Sequence, residues 1–210
     1  ESTVKTEIPY MLFVTFLLLV LGYTGNEIVL WEGIILWIAF IVYLLYLFRM
    51  AKKNKTEFDE EKEVLPVWKL LLLVVVGLAL IMVGSDVAVD AATELARIFG
   101  MSERFIGLTI VALGTSLPEL VTSVAAARKG KADIAIGNIV GSNMFNILFV
   151  VRTTALITPV VFESKFIIDV LISAAAGFLL LICVAKDHKL ARTGGILMLV
   201  SYAAYFMYLI

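Results

Sequence analysis

The sequence is poor in the residues that build disulfides, zinc sites and acid–base catalysts. Its 210 residues include one cysteine, Cys183, and one histidine, His188. A single cysteine excludes a disulfide within the chain, and the absence of a Cys/His cluster excludes a structural zinc site. Charged residues make up only 17% of the chain and the net charge is −1. Most lysines and arginines fall in short stretches between apolar segments, so the sequence offers no basic surface for nucleic acid.

Apolar residues dominate what is present. They make up 61% of the chain, compared with about 45–50% in soluble domains. They form seven long segments with few charged residues, of which the first two need their flanks to cross a bilayer core of about 30 Å. The segments lack the period-two alternation of barrel strands, so we predict an all-α, polytopic membrane protein with seven transmembrane helices in the lipid bilayer. The segments are Ile8–Leu21, Ile34–Phe48, Val67–Val83, Phe105–Ala127, Ile134–Ile157, Phe166–Ala185 and Gly194–Ile210.

Positive charge alternates between successive loops. The loop 22–32 has no lysine or arginine, whereas the charged loop 49–66 has five. The positive-inside rule therefore predicts a cytoplasmic loop 49–66 and an external C-terminus, in a protein of the plasma membrane. This loop separates two apolar helices, within 1–48, from a five-helix unit, 67–210. The chain begins at Glu1 rather than Met, which fits a fragment or a processed product.

The fourth segment carries a carboxylate in its middle. Glu119 is the only acid in this span, and a carboxylate at membrane depth costs about 2.5–3.5 kcal/mol on insertion scales. Helical spacing places Thr115 and Ser123 on its face, together with Ala112 and Ser116. Such a charge is retained where it meets water, a proton or a cation.

A proline precedes this acid. Pro118 lacks a backbone N–H and its ring pushes against the Gly114 carbonyl, while Gly114 itself weakens the helix. We therefore predict a kinked or interrupted helix with freed carbonyls, two hydroxyls and one carboxylate close together. Hard cations prefer such an all-oxygen set with at least one charge.

The fifth segment carries a second polar face. Asn138, Ser142 and Asn146 recur every four residues, with Asn143 beside them. Amide and hydroxyl oxygens suit sodium and calcium equally well. Both polar faces also fit ordinary helix packing, in which the hydroxyls bond back to their own helix.

Two glycines lie on the same segment. Gly137 and Gly141 form a small-xxx-small pair, which predicts the close approach of another helix.

These two motifs carry a family resemblance. Gly114-Thr-Ser-Leu-Pro-Glu-Leu, followed by Gly137-Asn-Ile-Val-Gly-Ser-Asn, closely resembles the second α-repeat of the calcium/cation antiporter superfamily, in particular its prokaryotic sodium/calcium exchanger branch. The specific match covers Ile106–Ile147. The resemblance implies ten helices in two inverted five-helix halves with ion sites at the midplane. This chain then resembles the last seven helices, with 1–48 ending a first, incomplete repeat, 49–66 as linker and 67–210 as second repeat.

The resemblance also implies a ligand set for transported Ca²⁺ and Na⁺. Glu119 matches the acid that ligates calcium, and Ala112 matches a carbonyl ligand for sodium. Thr115 and Ser116 match hydroxyl and carbonyl ligands. The matching polar positions of the facing helix are Ser142, Asn143 and Asn146.

Three features depart from the family pattern. Asn146 replaces an acid that the second repeat often has, and the first signature repeat is missing, so the chain alone has half of the expected ligands. Arg152 stands where the family usually has a small residue. Either its side chain snorkels to the outer interface, or its charge has a function. Asp86 and Asp90, with Glu94 one turn further, are either a solvated helix end or an acidic funnel for cations.

The residues and the resemblance together favour a secondary active transporter, not an enzyme, that exports calcium against inward sodium flow and needs no cofactor. One alternative replaces sodium with a proton at Glu119. Another is a transport-inactive fragment or assembly subunit that needs a complementary half or a second copy of itself. A weaker one is a passive channel.

Overall fold

The structure is a computed structural model that describes residues 3–25, 27–54, 65–162, 164–185 and 189–209, and it is nearly all-helical. Three of its helical stretches have the wider π-helical turn, at Thr3–Glu7, Gly107–Val111 and Asn146–Val151. The α-helices are α1 (Ile8–Gly25), α2 (Leu30–Asn54), α3 (Val67–Ile98), α4 (Glu103–Ile106), α5 (Ala112–Thr115), α6 (Leu117–Arg128), α7 (Ala132–Phe145), α8 (Arg152–Ile157), α9 (Ser164–Ala185) and α10 (Arg192–Leu209).

The remaining regular structure is a small antiparallel ladder. Strand β1 (Glu27–Ile28) pairs with β2 (Val160–Val161), with Glu27 opposite Val161 and Ile28 opposite Val160. The ladder ties the α1–α2 connection to the chain that follows α8. The all-α prediction is thus confirmed in its coarse form, with this short ladder as the addition.

Five helical stretches of the described residues are long and apolar enough to cross a membrane. A sixth is added if the bent pair Thr109–Thr115 and Leu117–Arg128 forms one span. The seventh predicted segment forms α10, which falls outside this set. The five are Thr3–Thr24, Leu30–Lys52, Val67–Ile98, Ala132–Ile157 and Phe166–Ala185.

The predicted loop 49–66 begins as helix. The apolar pattern ends at Phe48, but α2 continues to Asn54, because Arg49, Met50 and Ala51 are good helix formers. Residues 55–64 of this predicted linker lie outside the described residues.

The chain divides into two compact units. The first comprises 1–58 and 136–202, and the second comprises 59–135 and 203–210. In the first unit, α1 packs on α9, and α2 packs on α8 and on Asn146–Val151. Gly177 of α9 makes the first contact close, since a Cβ there would lie 2.7 Å from Leu12 Cδ2. The most deeply buried apolar side chains of this core are Ile8, Val14, Leu36, Val140, Met144, Leu148 and Val184.

In the second unit, α3 packs against α5, α6 and the π-helical segment Gly107–Val111. Most apolar side chains of α3 are nevertheless exposed, among them Leu71, Val75 and Leu80. A continuous exposed apolar surface on a helix of this length is typical of contact with lipid.

Candidate functional site

The helix that carries Glu119 is broken immediately before it. Helices α5 and α6 are separated at Ser116, whose φ and ψ are −98° and 0°. The helical stretch Thr109–Thr115 and α6 differ in direction by 53°. Pro118 sits in the first turn of α6, where its missing N–H is tolerated. The predicted interruption is therefore confirmed.

The break rearranges the backbone hydrogen bonds around it. The Ser116 N–H donates to the Leu113 carbonyl at 3.0 Å, one residue short of its α-helical partner Ala112. The Ala112 carbonyl instead accepts the Thr115 hydroxyl, with the two oxygens 2.9 Å apart. Both oxygens keep lone pairs, so two of the predicted ligands form one oxygen pair.

Glu119 follows this pair in the first turn of α6 and is partly buried. A carboxylate in the first turn is favoured by the partial positive charge of the helix N-terminus. One turn further, the buried Ser123 hydroxyl lies 3.4 Å from the Ala135 carbonyl within the same unit. Ser123 therefore anchors α6 rather than adding a free hydroxyl beside Glu119.

Two polar side chains of α7 turn back on their own helix. The Ser142 hydroxyl and the Asn143 amide nitrogen both donate to the Ile139 carbonyl, each at 3.2 Å. The Asn143 amide oxygen and the Ser142 lone pairs stay available as acceptors. These hydrogen bonds back to the same helix are typical of ordinary helix packing, and they leave the oxygens of both side chains able to bind a cation.

Asn146 begins the π-helical segment Asn146–Val151 and is exposed. Single π-helical turns inside α-helices occur frequently at functional sites.

The close approach that two glycines predict is not found. Within the described part of the chain, no atom lies within 4 Å of a Cβ built at Gly137 or Gly141.

The predicted ligands divide between the two units. Ala112, Thr115, Ser116 and Glu119 belong to the second unit, whereas Ser142, Asn143 and Asn146 belong to the first. Among the described residues, no group of three His, Cys, Asp or Glu side chains could hold a metal. Binding at Glu119 would accordingly rely on neutral oxygens around one carboxylate.

A pocket of about 340 Å³ opens beside the break in the second unit. It is lined by Asp86, Val89 and Asp90 of α3, and by Val111, Gly114 and Thr115. The sequence left Asp86 and Asp90 as a solvated helix end or an acidic funnel, and the structure places both beside a predicted ligand. Their four-residue spacing put them on one face of α3, but the sequence could not show what that face meets.

Arg152 is buried, which corrects the expectation that it snorkels. Its side chain is only 4% exposed, and its guanidinium carbon lies 3.4 Å from the centre of the Trp37 ring. Snorkelling requires a path to the interface, and here α2 covers the side chain. Gly33, one turn before Trp37, lies against it, since a Cβ there would be 3.4 Å from Arg152 Cγ.

Known proteins resemble this chain over most of its length. The protein CaxA of Alkalimonas amylolytica is 35% identical over 219 residues, which cover 98% of this chain and 67% of CaxA. Sodium/calcium exchanger MaX1 of Methanosarcina acetivorans is 34% identical over 140 residues, or 66% of this chain and 40% of MaX1. The chain thus spans two thirds or less of the length of these relatives.

A solved structure of the sodium-calcium exchanger NCX_Mj, soaked with zero Na⁺ and Ca²⁺, has the same fold. The TM-score is 0.77 at 28% identity, over 100% of this chain and 67% of that chain. With its apolar spans, the chain is therefore an integral, multi-pass membrane protein. Residues 69–210 match the family described as sodium/calcium exchanger protein, and the chain belongs to that family.

Proposed function

We propose that this chain forms the second half of the ion site of an antiporter that exports calcium against inward sodium flow. The break at Ser116 is the observation that supports this most. It places the Ala112–Thr115 oxygen pair one turn before Glu119, which is the only charged residue between Phe105 and Ala127. Oxygen ligands around a single charge suit both Ca²⁺ and Na⁺, so the two ions can compete there.

Each predicted ligand has a role in this proposal. Glu119 is the calcium ligand and the charge for which the two ions compete. Thr115 supplies its hydroxyl, Ser116 a hydroxyl or carbonyl, and Ala112 its carbonyl for sodium. Ser142, Asn143 and Asn146 provide the further amide and hydroxyl oxygens that the family resemblance implies. Since Asn146 is an amide, this half brings a single carboxylate.

The wider organisation belongs to the same proposal. Seven transmembrane helices correspond to the end of a first repeat in 1–48 and a second repeat in 67–210, joined by a cytoplasmic linker, 49–66. The C-terminus lies outside the plasma membrane. Alternating access would move gating helices past a fixed site near the midplane. Because the chain spans two thirds or less of its relatives, we propose that a complementary half or a second copy supplies the other ligands.

A proton is the second candidate for the coupling ion. Glu119 is partly buried within an apolar stretch, and intramembrane carboxylates serve as proton carriers in pumps and transporters. Proton/calcium exchange would use the same calcium ligands with Glu119 protonated on the return step.

Transport by the chain in proteoliposomes tests the proposal. With sodium inside and calcium outside, we expect calcium uptake that depends on the sodium gradient. Uptake should be lost in Glu119→Gln and kept in Glu103→Gln, which removes the same charge from an exposed residue outside the spans. Calcium uptake driven by a pH gradient in sodium-free buffer would show that the coupling ion is a proton rather than sodium. Uptake that follows the calcium gradient alone would indicate a channel.

A binding measurement separates an incomplete site from a wrong one. If the folded chain transports nothing, calcium should still raise the unfolding temperature of the parent but not of Glu119→Gln. That result would identify a half-site that needs its complement. Absence of both transport and calcium-dependent stabilisation in the parent would overturn the proposal.

A further inference from the structure

Arg152 and Trp37 place hydrogen-bond donors together without an acceptor. Within the described residues, Arg152 Nε, Arg152 Nη1 and Trp37 Nε1 are all buried and have no hydrogen-bond partner. Guanidinium and indole nitrogens can only donate. A buried charge that lacks hydrogen bonds is destabilising, so the missing partner is an acceptor.

The acid closest to Trp37 on α2 is already engaged. Glu32 is 2% exposed, and its two oxygens accept the Val29 N–H at 2.9 Å and the Thr24 hydroxyl at 3.3 Å. The side chains around Trp37 are aromatic, with Phe40 at 6.2 Å between ring centroids and Phe149 next to Phe40 at 5.7 Å. The described residues therefore give Arg152 a cation–π contact but no carboxylate.

An exposed arginine of the same chain shows the usual arrangement. Arg97 pairs with Glu103 through two bonds, Nε to Oε1 at 2.7 Å and Nη2 to Oε2 at 3.0 Å. Arg152 is buried, so its charge needs a carboxylate partner more than that of Arg97, but no acid pairs with it among the described residues. An intramembrane charge of this kind indicates a functional site by default.

We propose that Arg152 and Trp37 form a binding site for a small monovalent inorganic anion, with chloride as the simplest case. A buried positive charge whose own N–H groups lack an acceptor in the described part of the chain, beside an indole N–H that also lacks one, selects an anion over a cation or a neutral acceptor. The 4% exposure of Arg152 favours an ion of few atoms over a lipid phosphate. Gly33 and Trp37, one turn apart on α2, accommodate the stem and the guanidinium plane respectively, so α2 is shaped around this side chain.

Arg152 lies in the same membrane span as Asn146. Arg152 follows Asn146 by six residues, and both belong to the apolar span Ala132–Ile157. A bound anion would offset a fixed positive charge on the helix that supplies a predicted cation ligand.

Halide quenching of Trp37 fluorescence tests the site without calcium or transport. Trp31 and Trp68, which are 58% and 61% exposed, are replaced by phenylalanine so that Trp37 is the only reporter. Iodide is titrated at constant ionic strength against sodium gluconate, whose anion is too bulky for the site. We expect saturable quenching that chloride reverses. Quenching that rises linearly and ignores chloride in this parent would overturn the proposal.

Arg152→Met in the same background keeps the side-chain length and removes the charge. We expect its apparent iodide affinity to fall by about tenfold or more, since the variant loses the charged hydrogen bonds to the anion. Arg152→Lys keeps the charge without the planar fork and should bind with intermediate affinity. Equal affinity in all three proteins would also overturn the proposal. If Arg152→Met fails to fold, the parent titration and Arg152→Lys decide the question.

Discussion

Val89 of α3 occupies the space that a side chain at Gly114 would need, since a Cβ at Gly114 would overlap Val89 Cγ2. Gly114 is buried and lies two residues before the break at Ser116. Both residues line the pocket that contains Thr115. The contact between α3 and α5 therefore positions the broken helix and its oxygens.

Gly114→Ala should destabilise the protein by about 1–3 kcal/mol, because the stiff, β-branched Val89 cannot move aside without strain. The matched control is Gly107→Ala in the preceding π-helical segment, where no described atom lies within 4 Å of the added Cβ. Adding Val89→Ala to Gly114→Ala should recover part of the loss. Thermal unfolding in detergent measures all four proteins. A Gly114→Ala variant as stable as Gly107→Ala would contradict the contact.

The charge of Glu119 should matter more for calcium than the shape of the break. Glu119→Gln should abolish the calcium-dependent rise in unfolding temperature while the protein stays folded. Pro118→Ala changes the carbonyl geometry but keeps the carboxylate, so it should weaken that response less. Glu103→Gln is the charge-matched control. The reverse order of effects would mean that carbonyl geometry dominates over the acid.

Local chemistry explains why the break could be predicted. A proline without an N–H, preceded by a glycine, breaks an apolar helix wherever the rest of the chain lies. Helical spacing also predicts that Thr115, Ser116 and Glu119 share one face, while their roles as ligands come from the family resemblance and stay a prediction. The C-terminal end of α2 was harder to predict from the sequence. The apolar pattern stops at Phe48, whereas the helix continues to Asn54.

Tertiary placement explains what the sequence could not show. The burial of Arg152 depends on Gly33 and Trp37, which lie in a helix far away in the sequence. The position of Asp86 and Asp90 beside Thr115 likewise depends on how α3 packs against α5. No periodicity within one segment contains this information.

Asp86 and Asp90 should raise the local concentration of cations near the break. The double change Asp86→Asn/Asp90→Asn should reduce the apparent calcium affinity without abolishing binding. We expect an effect of about fivefold or less, because two exposed charges interact weakly across water. The effect should shrink at high salt, where screening is stronger. Calcium titrations of unfolding temperature at low and high salt measure it.

The control for this pair is Asp133→Asn, an exposed acid outside the pocket lining. If that single change lowers the calcium affinity as much as the double change, the effect reports net charge rather than the pocket.

Glu32 should stabilise the start of α2 through its carboxylate. It occupies the third position of the helix, and its Oε2 accepts the N–H of Val29, the residue that precedes the helix, at 2.9 Å. This is the return half of a capping box, and Oε1 also accepts the Thr24 hydroxyl at 3.3 Å. Glu32→Ala leaves the partly buried Val29 N–H without this partner, so the free energy of unfolding should fall by about 1 kcal/mol or more.

The neighbouring Glu27 provides the matched comparison for Glu32. It lies in strand β1 of the same connection but is exposed, so Glu27→Ala should change the free energy of unfolding by about 0.5 kcal/mol or less. Glu32→Gln should lie between the two variants, because its amide oxygen can still accept the Val29 N–H without the negative charge. Equal unfolding temperatures for Glu32→Ala and Glu27→Ala would show that the cap does not hold α2, and that the ladder between β1 and β2 fixes this connection instead.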